Sequence, residues 1–199
     1  MEHIHGAFYI NLDKRTDRRT EFTHECTRMD IHVERFKAIE DPIGFIGCTK
    51  SHLEVLKLAR SRGLQNVLIF EDDFQFLVGK EEFTNNLRAF FTSNIEYDVL
   101  MLSYNLVKEE SYNDLVGRVK EGQTASGYIV HSRFYDTLIH NLESNLQKLI
   151  ETHHHWIYMN DQCWKQVQPA AEWFYFKTRI GIQRPSFSDL SGRFVAYNM

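Results

Sequence analysis

Three adjacent carboxylates, Glu71, Asp72 and Asp73, follow directly on a short apolar run in the stretch NVLIFEDDFQF. Like charges this close repel, and each pushes the others' pKa upward unless a cation or a cluster of N–H groups neutralises them. A divalent metal is the partner such a cluster calls for. A bare acidic triplet also suits a solvated turn, but Phe70, Phe74 and Phe76 flank this one and argue for a partly buried setting. A second source of chemistry is DKRTDRR, where Lys14, Arg15, Arg18 and Arg19 crowd together with Asp13 and Asp17. An Arg-rich loop after a strand is well placed to meet phosphate or a nucleotide, although charge pairs along an exposed helix face explain the same pattern. Asn160 or Asp161 is expected to cap a short helix that stops before Pro169, and Asp161 reads either as that plain cap or as a carboxylate held at a cleft mouth to accept a proton. Thr124 to Tyr128, TASGY, is a run of small residues that lets backbone approach a ligand closely, and a β-bulge would equally account for Gly127. The histidines of note are His52, expected as a hydrogen-bonded structural residue, and His153 to His155. Neighbouring side chains on an extended segment alternate in direction, so these last three are expected to form a polar loop and not to share one ion.

The elements that must position these groups follow from local pattern. Val67 to Phe70 is too short for a helix and suits a strand buried on both faces, which delivers the acidic triplet at its carboxyl end. In open α/β sheets that end is where ligand crevices form. Ala7 to Leu12 is expected as a first strand, followed by a helix to about Met29, a strand over 33–38 and a turn at Asp41-Pro42. GFIGCTKSHLEVLKLARSRG is expected to be helical in its second half, capped by Thr49 or Ser51 and stopped at Gly63, with free N–H groups near Cys48 and Lys50. A helix over 81–93, a strand over 97–102, a covering loop over 103–114, a strand over 128–130, a helix over 132–150 and a strand over 172–177 complete the reading. Alternating strands and helices argue for an α/β fold with a mostly parallel sheet covered by helices, in one domain over 1–199.

Composition is that of a soluble globular chain: 199 residues, 43% apolar, 25% charged and a net charge of −4. Nothing global favours nucleic acid or an anionic membrane, and no apolar run reaches the eighteen or so residues of a membrane span. The N-terminal MEHIHGAFYINL lacks the apolar segment of a signal peptide, so a cytoplasmic protein is expected. Cys26, Cys48 and Cys163 are odd in number and lack metal-site spacing, which fits reduced thiols. Aromatics, at 14%, suit a sugar-binding cleft, a bulky core or a homodimer face equally.

FYINLDKRTDRR, GFIGCTKSH, VLIFEDDF, TASGYIV, NDQCW and QRPSFSD, in that order and spanning nearly the whole chain, resemble glycosyltransferase family 25, the group of lipooligosaccharide and collagen galactosyltransferases. The resemblance implies a GT-A-like nucleotide-sugar-binding sandwich and an inverting transfer of galactose or glucose from a UDP-sugar. It implies Mn2+, or Mg2+, held by Glu71, Asp73 and Asp189, with Asp161 as the catalytic base. It places Asn11, Arg15, Arg18, Arg19, Ser51, His52, Glu71, Asp72, Thr124, Ser126, Gly127 and Tyr128 around the donor. Glu71 and Asp73, two apart, face the same way if the backbone there is extended. The acceptor implied is a saccharide, a lipid-linked glycan or a protein hydroxyl, and the short form resembles bacterial or large-virus members. Two rival readings remain: a metal-dependent phosphohydrolase or nucleotidyltransferase using the same acids, and a non-catalytic sugar-binding pseudoenzyme.

Overall fold

The computed structural model describes residues 2–188 and 192–195. Its centre is an eight-stranded sheet. In chain order the first strands are β1 (Ala7–Asn11), β2 (Glu34–Lys37), β3 (Asn66–Glu71) and β4 (Phe74–Phe76), the last of which stands outside that sheet. Then come β5 (Val99–Met101), β6 (Asn105–Ser111), β7 (Val116–Gln123), β8 (Gly127–His131) and β9 (Trp173–Phe176). The central strands lie in the order β2-β1-β3-β8-β5-β9-β7-β6. β1 is parallel to both β2 and β3, and β5 to β9, whereas β8 and β7 run against their neighbours. Six strands therefore point one way and only β8 and β7 the other, which is the mostly parallel α/β arrangement expected.

The alternation of side chains along β3 explains the layers. Val67 and Ile69 enter one core with Leu53, Val55, Leu56 and Ala59 of α2 (Gly44–Ser61) and Leu138, Ile139 and Leu142 of α4 (Tyr135–Thr152). Leu68 and Phe70 enter the other, with Phe22 and Met29 of α1 (Thr16–Met29) and Phe83, Leu87 and Phe90 of α3 (Lys80–Thr92). Both faces of β3 are thus covered, as a continuous apolar run requires.

The chain leaves β1 toward β2 on one side and returns to β3 on the other. That reversal makes the β1/β3 boundary a topological switch point, where the strand ends splay and leave a crevice. Two small sheets border it. β4 turns back from the acidic triplet and pairs with β10 (Gly181–Gln183), and β11 (Ser186–Ser188) pairs with β12 (Arg193–Val195).

Three local expectations are corrected. The segment 103–114 is not a loop: most of it is β6, in an antiparallel hairpin with β7, a strand the sequence pattern did not announce. α2 begins at Gly44, so Thr49 and Ser51 lie inside it and cap nothing. Their hydroxyls donate to the carbonyls of Phe45 (2.9 Å) and Gly47 (2.7 Å), the back-bonding open to such residues in a helix interior. Finally, His155 begins a short helix, α5 (His155–Tyr158), and its ring stacks on Phe45 at 5.0 Å between centroids.

Candidate active site

A cleft of about 230 Å³ opens at the switch point, lined among others by Ile10 and Leu12 at the end of β1, Arg15 and Arg18 of the following turn and helix, Cys48, Ser51 and His52 of α2, and Glu71, Asp72 and Asp73. Glu71 is the last residue of β3, and Asp72 and Asp73 form the turn into β4. Because the backbone turns there, the extended geometry expected for Glu71 and Asp73 does not hold, and the triplet divides its partners. Glu71 Oε1 receives His52 Nε2 at 3.0 Å and the Cys48 thiol at 3.7 Å. Arg18 Nη1 lies 2.9 Å from Asp72 Oδ1 and 3.1 Å from Asp73 Oδ2. Asn11 Nδ2 donates to Asp72 Oδ2 at 2.7 Å, and Gln183 Nε2 to Asp73 Oδ2 at 3.1 Å. Asp73 Oδ1 is buried with no hydrogen-bond partner.

The electrostatics follow from that division. Burial pushes Asp73 up, and repulsion from Glu71 and Asp72 adds to it against the pull of Arg18, so its pKa reaches about 7. Asp72 is also raised by burial, against Arg18 and Asn11. Glu71 ends below its ordinary value: desolvation pushes it up, but the hydrogen bond from His52 and attraction to His52 and Arg18 outweigh this. The guanidinium of Arg18 pairs with two of the triplet's three carboxylates. A hard divalent cation with oxygen ligands suits this donor set, and the bare Asp73 oxygen fits it as a ligand.

Asp161 sits in the first turn of α6 (Asn160–Cys163). It does not cap that helix, which follows Met159. Instead Asp161 Oδ2 accepts the backbone N–H of Thr124 at 3.0 Å and Oδ1 accepts from Gln162 Nε2 at 3.2 Å. Desolvation raises its pKa, Thr124 opposes the rise and the charge of Glu71 adds to it.

The remaining candidates fall into three groups. Arg15, Arg18, Ser51 and His52 line the cleft with the acidic triplet. Arg18 Nη2 also reaches Ser186 Oγ and the Phe187 carbonyl, while Ser51 accepts the N–H of Ile39 at 2.8 Å and so ties the cleft's outer loop to α2. Tyr128 and Ser126 lie beneath, buried: the Tyr128 hydroxyl meets His52 Nδ1 at 2.8 Å and Ser126 Oγ meets Ser103 Oγ at 2.7 Å. Gly127 packs under the Phe74 ring. Arg19 is exposed on α1, away from the cleft lining, and Asp189 lies outside the described residues. Sequence reasoning passed over Cys48, Asn160 and Gln183. The first was visible as an i, i+4 pair with His52; the other two open NDQCW and QRPSFSD, but their contacts, Asn160 with Cys48 Sγ (3.8 Å) and Gln183 with Asp73, arise only through the tertiary fold.

The fold defines a class of α/β proteins with an acidic, arginine-bearing cleft at the switch point of a mostly parallel sheet. Within it, the sequence profile of glycosyltransferase family 25, described as LPS biosynthesis protein, matches residues 43–164. The chain belongs to that family. The match takes in GFIGCTKSH, VLIFEDDF, TASGYIV and NDQCW, while the arginine-rich opening and QRPSFSD lie outside it. A "Glycosyltransferase 25 family member" of Drosophila pseudoobscura pseudoobscura is 28% identical over 143 residues, covering 56% of this chain and 22% of the relative. The chain therefore spans about a fifth of that relative's length. Among solved structures, A197 from STIV superposes with a TM-score of 0.50 at 10% identity, covering 98% of this chain and 95% of the other, a likeness of fold alone. Mannose-1-phosphate geranyltransferase from Thermus thermophilus superposes with a TM-score of 0.49 at 8% identity over 90% of this chain and 74% of that one.

Proposed function

We propose that the chain is an inverting, metal-dependent glycosyltransferase that moves a hexose, galactose or glucose, from a UDP-sugar to an acceptor hydroxyl. The observation that carries the reading is the carboxylate cluster at the switch-point cleft, with Asp73 Oδ1 buried and unbonded. Asp73 would hold Mn2+ or Mg2+, with Glu71 or Asp72 beside it and Asp189 as a further candidate. Bound there, the cation supplies Lewis-acid neutralisation of the donor diphosphate.

The chain's own groups perform the rest. Arg15 faces the same cleft as the triplet and adds positive charge for the diphosphate. Arg18 holds Asp72 and Asp73 in place, and Asn11 fixes the other oxygen of Asp72. Asp161, its pKa raised and its carboxylate anchored by Thr124, takes the proton of the acceptor hydroxyl. As that oxygen attacks the anomeric carbon from the face opposite the diphosphate, the bond from carbon to diphosphate oxygen breaks and its electrons leave with UDP.

Incubating the purified chain with a panel of nucleotide-sugars and Mn2+, without acceptor, tests this directly. Slow release of UDP that requires the cation and is lost in Asp73→Ala supports the reading. Release of inorganic phosphate or pyrophosphate would instead point to phosphohydrolase or nucleotidyltransferase chemistry, and binding without turnover to a sugar-binding module.

A further inference from the structure

On one wall of the cleft, Cys48 and His52 stand one helical turn apart on α2 and both face Glu71 at the end of β3. One ligand atom from each, a sulfur, a nitrogen and a carboxylate oxygen, lie within 4.8 Å of one another. Two of the separations are fixed by contacts already described: 3.0 Å from His52 Nε2 to Glu71 Oε1 and 3.7 Å from Cys48 Sγ to the same oxygen. Zinc binds sulfur at about 2.3 Å and nitrogen or oxygen at about 2.0–2.2 Å, so tetrahedral ligands stand roughly 3.3–3.6 Å apart. Two of the three separations therefore stand close to the spacing a zinc ion requires, and the third lies within 4.8 Å.

We propose that Cys48, His52 and Glu71 form a binding site for a zinc-class, thiophilic cation, separate from the Asp72–Asp73 pair and open to the cleft. Two further features favour it. The other ring nitrogen of His52 is anchored by the buried Tyr128 hydroxyl at 2.8 Å, the outer partner that orients a ligating imidazole. All three side chains line the cleft, which leaves the fourth position accessible to water or a ligand, as in zinc sites that exchange their fourth ligand. Binding displaces the thiol proton of Cys48 to solvent and breaks the hydrogen bond between His52 and Glu71; the ring proton leaves Nε2, so that His52 carries it on Nδ1 and donates it to the Tyr128 hydroxyl oxygen. Because Glu71 belongs to both groups, occupation by zinc withdraws it from the acidic triplet. The inference does not rest on the glycosyl-transfer reading, since it concerns what the apo chain binds.

Cobalt(II) is the probe, because thiolate ligation gives a charge-transfer absorption in the near ultraviolet and a tetrahedral site gives intense visible bands. One equivalent of cobalt is expected to produce both, and one equivalent of zinc to remove both. Cys48→Ser should abolish the thiolate band and weaken zinc binding by at least about tenfold, while Cys26→Ser and Asp73→Ala keep the spectrum. Circular dichroism of each variant separates loss of the site from loss of the fold, and His52→Gln provides a second route to the same loss of tetrahedral bands. No thiolate band in the parent chain, a band that survives Cys48→Ser, or one that disappears in folded Asp73→Ala would each overturn the proposal.

Discussion

The carboxylate of Asp161 accepts the backbone N–H of Thr124 at 3.0 Å, and Thr124 holds that position with φ at +87°. A β-branched residue in that region is strained, at a cost of about 1–3 kcal/mol, and such strain persists only where the surroundings enforce it. Here the enforcing contact is the group proposed as the catalytic base. Asp161→Asn keeps an oxygen that accepts from Thr124 and removes the proton acceptor. We expect an unchanged melting temperature, unchanged donor binding and a transfer rate lower by about 10²–10⁴-fold. A variant that turns over normally would remove Asp161 from the mechanism.

The same contact predicts an effect on stability. Thr124→Gly relieves the positive φ, while glycine adds about 0.5–1 kcal/mol of unfolded-state entropy cost. The net expectation is a stabilisation on the order of 1 kcal/mol, read from urea unfolding at constant slope. Destabilisation would mean that the Thr124 side chain contributes more than its backbone strain takes away.

How much of this was open to the sequence depends on the range of the interactions. β3 was legible because Val67 to Phe70 is apolar without interruption, which only a strand covered on both faces explains. The acidic triplet was legible for the same reason, as whatever follows such a strand lies at the sheet's carboxyl edge. β6 was not, because Lys108, Glu109, Glu110 and Ser111 are exposed and leave no alternation to detect in an outermost strand. The start of α2 was misplaced because Thr49 and Ser51 have the composition of caps, and only the helix itself shows their hydroxyls turned back onto carbonyls. The Asp161–Thr124 bond joins residues 37 apart, and no spacing rule anticipates it.

Asp73 gives the cleft a pH dependence. In the folded chain it keeps its proton to about pH 7, whereas its ordinary value is 3.8. Between those limits the folded state binds more protons than the unfolded one, so on this account alone stability falls as pH rises from about 4 to 7 and changes no further above. A divalent cation must displace that proton. Mn2+ affinity is therefore expected to weaken by about tenfold per unit below pH 7 and to level off above it. Calorimetric titrations from about pH 5.5 to 8.5, in buffers of different ionisation enthalpy, count the proton released. A flat affinity across that range would contradict the assignment of Asp73 as a ligand.

The Arg18 guanidinium bridges Asp72 and Asp73, with both carboxylates nearly buried. Replacing it by methionine keeps the stem that packs and removes the charge, leaving two buried acids without their counterion. Breaking a buried pair in this way costs about 3–5 kcal/mol, less whatever Asp73 recovers by holding its proton. The loss of melting temperature should therefore be larger at about pH 8 than at about pH 6, because protonation relieves the repulsion that Arg18 otherwise offsets. Millimolar Mn2+ should return part of the lost stability at the higher pH by replacing the missing positive charge. A deficit that ignores both pH and cation would show that Arg18 acts through its contacts to Ser186 and Phe187, and not through the acidic pair.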